Sequence, residues 1–186
     1  MISSKTTIIN SLNRVNYIKR NIQFAFDSKS KFKEFSNSNY TIFLNGKIYS
    51  ILNNEKLIKF NKKNLFNLLT DHNQNLKLVK KIQNSLEGHY NILIINNHNN
   101  NLLFFSDKFS KKDLYYYKKN KKYIISDNLE SLIENIDLKI DYCSESLISM
   151  FLVYGNYAPK KHTIYKNIYR LGVNEFFQTN RGLVNL

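Results

Sequence analysis

The sequence has few residues of several types, and each scarcity excludes a class of protein. Its 186 residues include one cysteine, Cys143, one proline, five glycines and no tryptophan. A single cysteine excludes an internal disulfide and a zinc site built from cysteines. So little glycine and proline excludes collagen-like and low-complexity chains, and it leaves little material for a glycine-rich phosphate loop.

Long apolar runs are also missing. No run approaches the roughly 20 apolar residues that a helix needs to span a bilayer, and the first residues contain no apolar core of a secretory signal. We therefore expect a cytoplasmic protein without a membrane partner. The 42% of hydrophobic residues and 14% of aromatic residues suffice for the core of one domain and exclude a disordered tail.

The chain is strongly basic, with 28 lysines and arginines against 14 acids and a net charge of +14. Such an excess can indicate a polyanionic partner such as nucleic acid. Arginine is the residue that base edges and phosphates favour, yet most of the basic residues are lysines, scattered apart from a run at 118–122. We therefore expect a solvated basic surface, with nucleic-acid binding kept as an alternative. The arginines are Arg14, Arg20, Arg170 and Arg181.

Alternating and β-branched segments predict several strands. A short strand is expected at 22–26, and residues 28–38 are polar and typical of a loop. Asn45-Gly46, between two strand-like segments, is the pattern of a tight hairpin. The last four predicted strands are expected to form one antiparallel meander. The six strands after residue 39 are predicted at 40–44, 47–51, 90–95, 102–106, 114–117 and 123–126.

Apolar residues at helical spacing predict four short helices. Asp127, with Glu130 three residues later, is the pattern of a capping box at the start of the third helix. The order of strands and helices predicts an α+β fold in a single domain. The helices are expected at 64–69, at 76–86 before Glu87-Gly88, at 128–134, and from Ser144 to Gly155.

Residues able to carry chemistry are dispersed. Cys143 lies just before a predicted helix, where the helix N-terminus can lower a thiol pKa, but a small structural cysteine is the favoured interpretation. Asp107 and Asp113 are either a pair of carboxylates at one site or two solvated acids beside a lysine-rich turn. The histidines have no metal-ligand spacing and are expected to be ordinary surface residues; they are His72, His89, His98 and His162.

Five segments, in order along the chain, resemble class-II glutamine amidotransferases. LNGKIYS at 44–50 resembles their NGEIYN segment, and LEGHYN at 86–91 resembles the L-x-G-x-[FY]-A segment that begins their central sheet. SDKFSKKDLYY at 106–116 resembles R-D-x-x-G-x-K-P-L-Y-Y, and YIISDNLESL at 123–132 resembles faSE-x-K-aL. Residues 151–171 resemble the passage that leads towards the synthetase domain in asparagine synthetases.

The resemblance implies an N-terminal-nucleophile fold: a four-layer αββα sandwich of two antiparallel sheets, here abbreviated at the N-terminus. It divides the chain into a weakly patterned segment 1–39, an amidotransferase-like domain 40–178 and a tail 179–186. Relatives continue from that tail into a synthetase domain. In the family, an N-terminal cysteine with its own amine as base releases ammonia from glutamine. An ATP-activated carboxylate in the second domain accepts the ammonia.

The sequence departs from the family pattern at catalytic positions. Ile2 occupies the place of the nucleophilic cysteine, and the substrate-binding arginine is missing. Asn45 and Gly46 match the pair that forms the oxyanion hole, and Lys47 replaces a glutamate beside them. Asp71 is matched to an acid that binds the amine of the substrate.

We therefore expect a degenerate amidotransferase-like domain that needs no cofactor or metal and does not hydrolyse glutamine. It would be a scaffold or docking subunit for an ATP-dependent, asparagine synthetase-like partner, or a homodimer. The chain reaches Leu186 without an ATP loop, so we expect no synthetase domain of its own. The expected partner interface consists of Tyr157, Ile164, Tyr165, Ile168 and Leu171.

Three alternatives remain open from the sequence. The chain can be the N-terminal fragment of a longer, glutamine-hydrolysing asparagine synthetase-like enzyme, which a downstream S-G-G-x-D-S motif would reveal. It can be a basic nucleic-acid-binding module, which salt-dependent binding would reveal. It can also be a hydrolase whose nucleophile is Ser3 or a processed threonine.

Overall fold

The computed structural model describes ten stretches of the chain, which contain twelve strands and four helices. The stretches are 15–19, 22–26, 32–53, 56–70, 76–99, 101–119, 122–136, 141–152, 161–178 and 182–185. The helices are α1 (Lys62–Thr70), α2 (Leu76–Ser85), α3 (Leu129–Glu134) and α4 (Ser144–Leu152). The strands are β1 (Val15–Lys19), β2 (Ile22–Phe26), β3 (Phe32–Ser36), β4 (Tyr40–Asn53), β5 (Lys56–Lys59), β6 (Leu86–Asn96), β7 (Leu102–Ser106), β8 (Tyr115–Lys119), β9 (Lys122–Ser126), β10 (Ile168–Arg170), β11 (Glu175–Gln178) and β12 (Gly182–Asn185).

The larger sheet has seven strands and is antiparallel throughout. Its order is β12-β11-β7-β6-β4-β3, and β5 pairs with the second half of β4. One edge of β4 pairs along its length with β6, while its other edge is shared between β3 and β5. The long strands β4 and β6 are therefore the spine of this sheet.

The smaller sheet has five strands in the order β1-β2-β9-β8-β10. Its pairs are antiparallel except for β2 with β9, which run parallel. A parallel pair requires a long connection, and here the connection carries the chain from β2 through most of the larger sheet and then through β8 before it reaches β9.

Three apolar cores define the order of the layers, because alternate residues of a strand face opposite sides of a sheet. On β6, Ile92 and Ile94 face α1 and α2, while Leu93 and Ile95 face the smaller sheet. On β11, Phe176 faces α1 and α2, and Phe177 faces the smaller sheet. A third core packs α3 against the outer face of the smaller sheet. The molecule is thus helices, sheet, sheet, helix, which confirms the predicted α+β class.

The predicted helices form where the apolar spacing places them. Leu65 and Leu69 of α1 and Leu78, Val79 and Ile82 of α2 are buried against the larger sheet. Asn61 precedes α1, and its side-chain oxygen accepts the backbone N–H of Asn64, which satisfies one of the free donors of the first turn.

The predicted hairpin at Asn45-Gly46 is wrong. These residues lie inside β4, which continues from Tyr40 to Asn53. Asn-Gly favours a turn only when the two flanking strands pair with each other, whereas here both halves of β4 pair with β6. Gly46 keeps a positive φ of 111° within the strand, a conformation that glycine adopts readily.

Other local predictions also need correction. The expected loop at 28–38 contains β3, and the expected meander is split, because β6 and β7 lie in one sheet and β8 and β9 in the other. The cap of α3 is Asn128 rather than Asp127: its side-chain oxygen accepts the N–H of Glu130. Periodicity did not predict β1, β5, β10, β11 or β12.

Among the residues that the structure describes, no helix has the length and apolar character needed to cross a membrane.

Candidate functional site

A row of polar side chains ends the apolar core between the two sheets. Asn45 on β4 is the direct cross-strand partner of Asn91 on β6, and Asn91 is in turn the partner of Ser106 on β7. Their neighbours Leu44, Ile92 and Phe105 face α1 and α2. Because side chains alternate along a strand, the three polar residues face the smaller sheet. All three are buried.

Asn91 holds this polar row together. Its side-chain oxygen accepts the Ser106 hydroxyl at 2.8 Å, and its side-chain nitrogen donates to the backbone oxygen of Asp113 at 3.0 Å. The Gln83 amide from α2 donates to the Ser106 carbonyl at 2.8 Å. Since buried polar groups are expensive to leave unpaired, these bonds fix the position of the row between helix, sheet and loop.

Asn45 connects the larger sheet to the smaller one. Its side-chain nitrogen donates a hydrogen bond to the carboxylate of Asp127, the residue that follows β9. Asp127 therefore does not cap α3 and instead contacts the residue that resembles half of an oxyanion hole. The Asn45 amide donates into a protein carboxylate in this arrangement.

A second polar group lies where β8 begins. The Asp113 carboxylate forms an ion pair of 2.6 Å with Arg170 of β10 and accepts the Tyr115 hydroxyl at 3.1 Å. Burial and the Asp113 charge raise the pKa of Tyr115 above its usual value, and Arg170 partly opposes the rise. This group anchors the beginning of β8 to the edge strand of the smaller sheet.

Asp107 and Asp113, the possible carboxylate pair, have separate structural partners. The Asp107 side chain is buried and accepts the backbone N–H groups of Phe109 and Lys111, which shapes the turn that follows β7. Asp113 pairs with Arg170 and Tyr115. The structure gives each carboxylate a role in holding backbone or a neighbouring side chain.

Lys47 and His89 form the next cross-strand pair along β4 and β6, on the same face as Asn45 and Asn91. Both residues are exposed. The edge of the polar row therefore carries a cation at the position where the family has a glutamate.

Cys143 lies away from this row. Its backbone N–H donates to the carbonyl of Ile164, and its thiol contacts the Glu145 carboxylate and the Ser146 hydroxyl at the start of α4, each at 3.3 Å. The thiol is partly exposed and belongs to the segment that joins α4 to residues 164–166.

The expected partner interface is only partly exposed. Ile168 and Leu171 are 1% and 2% exposed and pack in the domain's own cores. Ile164 and Tyr165 are half-buried. Tyr157, like Asp71 and the N-terminal residues 1–14, lies outside the described residues.

Sequence reasoning missed Asn91 and Ser106 as members of the polar row and Asp127 as the partner of Asn45. Asn91 begins the apolar run of β6, and Ser106 ends that of β7. Both are inner-facing polar residues next to an apolar run, Asn91 before that of β6 and Ser106 after that of β7, which is the signal that could have identified them. The register between β6 and β7, which places them side by side, is not readable from either segment alone.

Tyr90 is a buried polar residue with an unusual environment. Its ring packs in the core beneath α1 and α2, and its hydroxyl has no hydrogen-bond partner among the described residues. Burial, followed by the charges of Asp107 and Glu87, raises its pKa well above the usual value of 10.0.

Tyr90→Phe is therefore expected to raise the free energy of unfolding by about 1 kcal/mol near neutral pH, because an unpaired buried hydroxyl is removed. A raised folded-state pKa contributes stability that is complete below the unfolded pKa of 10.0 and is lost as pH rises towards the folded pKa. The variant should lose less stability than the wild type above that pH. Urea unfolding at neutral and alkaline pH checks both effects, with exposed Tyr49→Phe as the control.

Among the described residues, no three histidine, cysteine, aspartate or glutamate side chains come together as a set of metal ligands. A comparison with curated proteins found no match. A comparison with protein families found one that matches most of the chain, residues 32–185, and is described as a glutamine amidotransferase domain. The match begins at β3 and extends to β12, so it includes the whole polar row between the sheets. This chain belongs to the glutamine amidotransferase domain family.

Proposed function

We propose that this chain is a glutamine amidotransferase domain of the asparagine synthetase type that does not hydrolyse glutamine. In this proposal it is a cytoplasmic scaffold and docking subunit for a separate ATP-dependent, amide-forming partner. The observation that carries the proposal is the hydrogen bond from Asn45 to Asp127. An oxyanion hole needs a donor aimed at the reacting oxygen, and this donor is already paired with a carboxylate.

The layered architecture supports the same family type. Two sheets packed face to face between helices, with a polar row at the end of the layer between them, are what an N-terminal-nucleophile fold requires. The chain departs from the family pattern in the chemistry of its side chains, because the polar row lacks a thiol and has Lys47 at its edge.

Nucleophile chemistry is the second support. Covalent catalysis on an amide needs a nucleophile beside a base. The one cysteine of the sequence, Cys143, is bonded into the segment before α4. Lys47 would also repel the ammonium group of glutamine at the edge of the row, since like charges at close range oppose binding.

The activity test is ammonia release by the purified chain in the presence of excess glutamine. We expect no release above the protein-free background, both for the wild type and for Ile2→Cys, because a restored thiol still lacks a free oxyanion donor and the substrate arginine. The measurement is a coupled enzymatic assay for ammonia, with Asn45→Ala and Ser3→Ala as matched variants. Release that saturates with glutamine and is lost in either variant would overturn the proposal.

The proposed docking role rests on exposed apolar side chains of α4. Ile148, Phe151 and Leu152 are 57%, 74% and 79% exposed on this helix. Residues three and four apart lie on one side of a helix, so the three side chains form a continuous apolar surface, which we name the α4 face. Apolar side chains clustered in this way are typical of protein interfaces. The α4 face thus replaces Ile168 and Leu171 as the proposed contact with a partner subunit or a second copy.

Substitutions on the α4 face are expected to weaken association without unfolding the domain. Ile148→Ser with Phe151→Ser should lower the apparent mass measured by light scattering at high protein concentration by about half if the wild type dimerises. If the partner is a synthetase-type subunit, the same variant should co-elute with that subunit less than the wild type does. Leu57→Ser, at an exposed apolar position on β5, is the control. Equal association of all three proteins would argue against the docking role.

A further inference from the structure

A second surface combines lysines with exposed aromatic rings. It consists of side chains from β4, from β6 and from the turn after β7, and we name it the basic-aromatic rim. Tyr49 and Phe109 are 50% and 60% exposed, which is high for rings of this size. The members of the rim are Lys47, Tyr49, His89, Lys108, Phe109 and Lys111.

The rim is continuous, because each member contacts the next. The Lys47 ammonium lies 5.5 Å from the centroid of the Tyr49 ring, and that ring meets the His89 ring edge-on at 5.8 Å between centroids. The His89 Nε2 and Lys111 Nζ atoms are 3.3 Å apart. The Phe109 ring completes the series, with Lys111 Nζ at 5.4 Å and Lys108 Nζ at 5.2 Å from its centroid.

Two features of the backbone bring these residues together. The register of β4 against β6 shifts between Ile48 and Ser50, so Tyr49 is the extra residue of a β-bulge, and bulges commonly redirect a side chain. The turn after β7 is held by the buried Asp107 carboxylate, which accepts the N–H groups of Phe109 and Lys111. The side chains of the rim are therefore positioned by two paired strands and by a turn that is held by hydrogen bonds.

The charge of the rim is mostly uncompensated. Of its lysines, Lys108 forms an ion pair of 2.7 Å with Glu87; for Lys47 and Lys111, no ion pair is found with a described carboxylate. These two cations lie on either side of His89, close to a ring on each side. A surface with excess positive charge attracts a polyanion, and the exposed rings add a preference for a polyanion with planar groups.

We propose that the basic-aromatic rim binds single-stranded nucleic acid. Proteins that bind single strands combine lysines or arginines along the phosphate backbone with aromatic rings on which unpaired bases stack. Here Tyr49 and Phe109 are the stacking rings, and Lys47 and Lys111, for which no ion pair is found with a described carboxylate, neutralise phosphates. Because the bases of a duplex are already stacked on each other, an unpaired strand fits this surface better than a duplex of the same length.

The test is fluorescence anisotropy of the full chain with a labelled oligothymidylate of about 16 nucleotides, across a series from about 50 to 200 mM salt. The variant Lys47→Ala/Lys108→Ala/Lys111→Ala is expected to bind at least about tenfold more weakly at the lowest salt. Its salt slope should fall by about 1.4, because Lys47 and Lys111 supply two phosphate contacts on a single strand and each contributes about 0.7.

The matched control removes the same charge elsewhere. Lys56, Lys59 and Lys77 are exposed on β5 and α2, and their triple alanine variant should bind almost as well as the wild type. An equal loss in the two triple variants would show that only the net charge of +14 attracts the strand, and it would overturn the proposal. Circular dichroism checks that both variants keep the fold.

The aromatic half of the proposal is tested separately. Phe109→Ser and Tyr49→Ser should each weaken binding about fivefold or more, because one stacked base contributes about 1 kcal/mol or more. Polyglutamate and polyphosphate, which carry charge without bases, should compete weakly. Unchanged binding in both ring variants, equal competition by polyphosphate, or tighter binding of a duplex of the same length would overturn the proposal.

Discussion

Gly46→Ala is expected to reduce the free energy of unfolding by about 4 kcal/mol, a large share of the stability of an ordinary domain. Gly46 has a φ of 111°, where a side chain is strained. A Cβ atom there would also lie 2.1 Å from the carbonyl oxygen of His89 and 3.0 Å from the Tyr90 Cα. Both atoms are backbone of β6 and cannot move without breaking its pairing with β4.

Gly172→Ala is the matched control for this prediction. A Cβ atom at Gly172 would meet the end of the Glu175 side chain at 3.1 Å, and its backbone has no positive φ. Glu175 is buried and accepts the Gly172 N–H, but its carboxylate is the end of a side chain and needs to move by much less than the backbone of β6 would, so we expect a loss of only about 1 kcal/mol. Urea unfolding of both variants is the measurement. A Gly46→Ala protein as stable as the Gly172→Ala protein would contradict the close approach of β4 to β6.

Asn91→Leu is expected to cost about 3 kcal/mol, although leucine has the same branched arrangement of side-chain heavy atoms as asparagine. Asn91 is fully buried, and its loss leaves the Ser106 hydroxyl and the Asp113 carbonyl without this partner. An unpaired buried polar group costs about 1–3 kcal/mol. The substitution therefore removes a bond within the larger sheet and a bond from that sheet to the loop before β8.

Ser106→Ala separates these two contributions. It removes the bond from Ser106 to Asn91 and leaves the donation from Asn91 to Asp113 intact, so we expect a loss of only about 1 kcal/mol. The double variant should be less destabilised than the sum of the single variants, because the two side chains share one bond. Additive losses, measured by chemical unfolding, would contradict the polar row as described.

The polar row and the basic-aromatic rim share the strands β4 and β6, but the side chains of the row are buried and those of the rim reach the surface. In the row, Asn45 and Asn91 are buried and bonded to protein groups. In the next cross-strand pair on the same face, Lys47 and His89 are exposed. One pair of strands thus carries a buried polar row whose side chains are bonded to protein groups and, one step further along the same face, an open cationic surface.

Much of the local structure was predictable from the sequence. The strand 102–106 was predicted at the bounds observed, and the helices at 64–69 and 76–86 lie within one or two residues of α1 and α2. In these segments the spacing of the apolar residues matches the positions that are buried in the fold. Local preference and tertiary packing therefore favour the same structure.

The edge strands could not be predicted from periodicity. β5 and β10 have four and three residues, which is too short for a reliable alternating pattern. Each is a strand because a longer neighbour, β4 or β8, offers it unpaired backbone groups. Their conformation depends on a partner that is distant in the sequence rather than on their own residues.

The sequence by itself determined the α+β class, the apolar faces of α1 and α2, and a family resemblance that the match over residues 32–185 supports at the level of the glutamine amidotransferase domain. These depend on composition, spacing and order, which are local properties. Tertiary structure alone decided that Asn45-Gly46 lies in a continuous strand and that Asn45 contacts Asp127, 82 residues away. It also decided that scattered lysines meet two aromatic rings at one rim. The physical reason is that strand register and sheet packing unite residues that no local pattern relates.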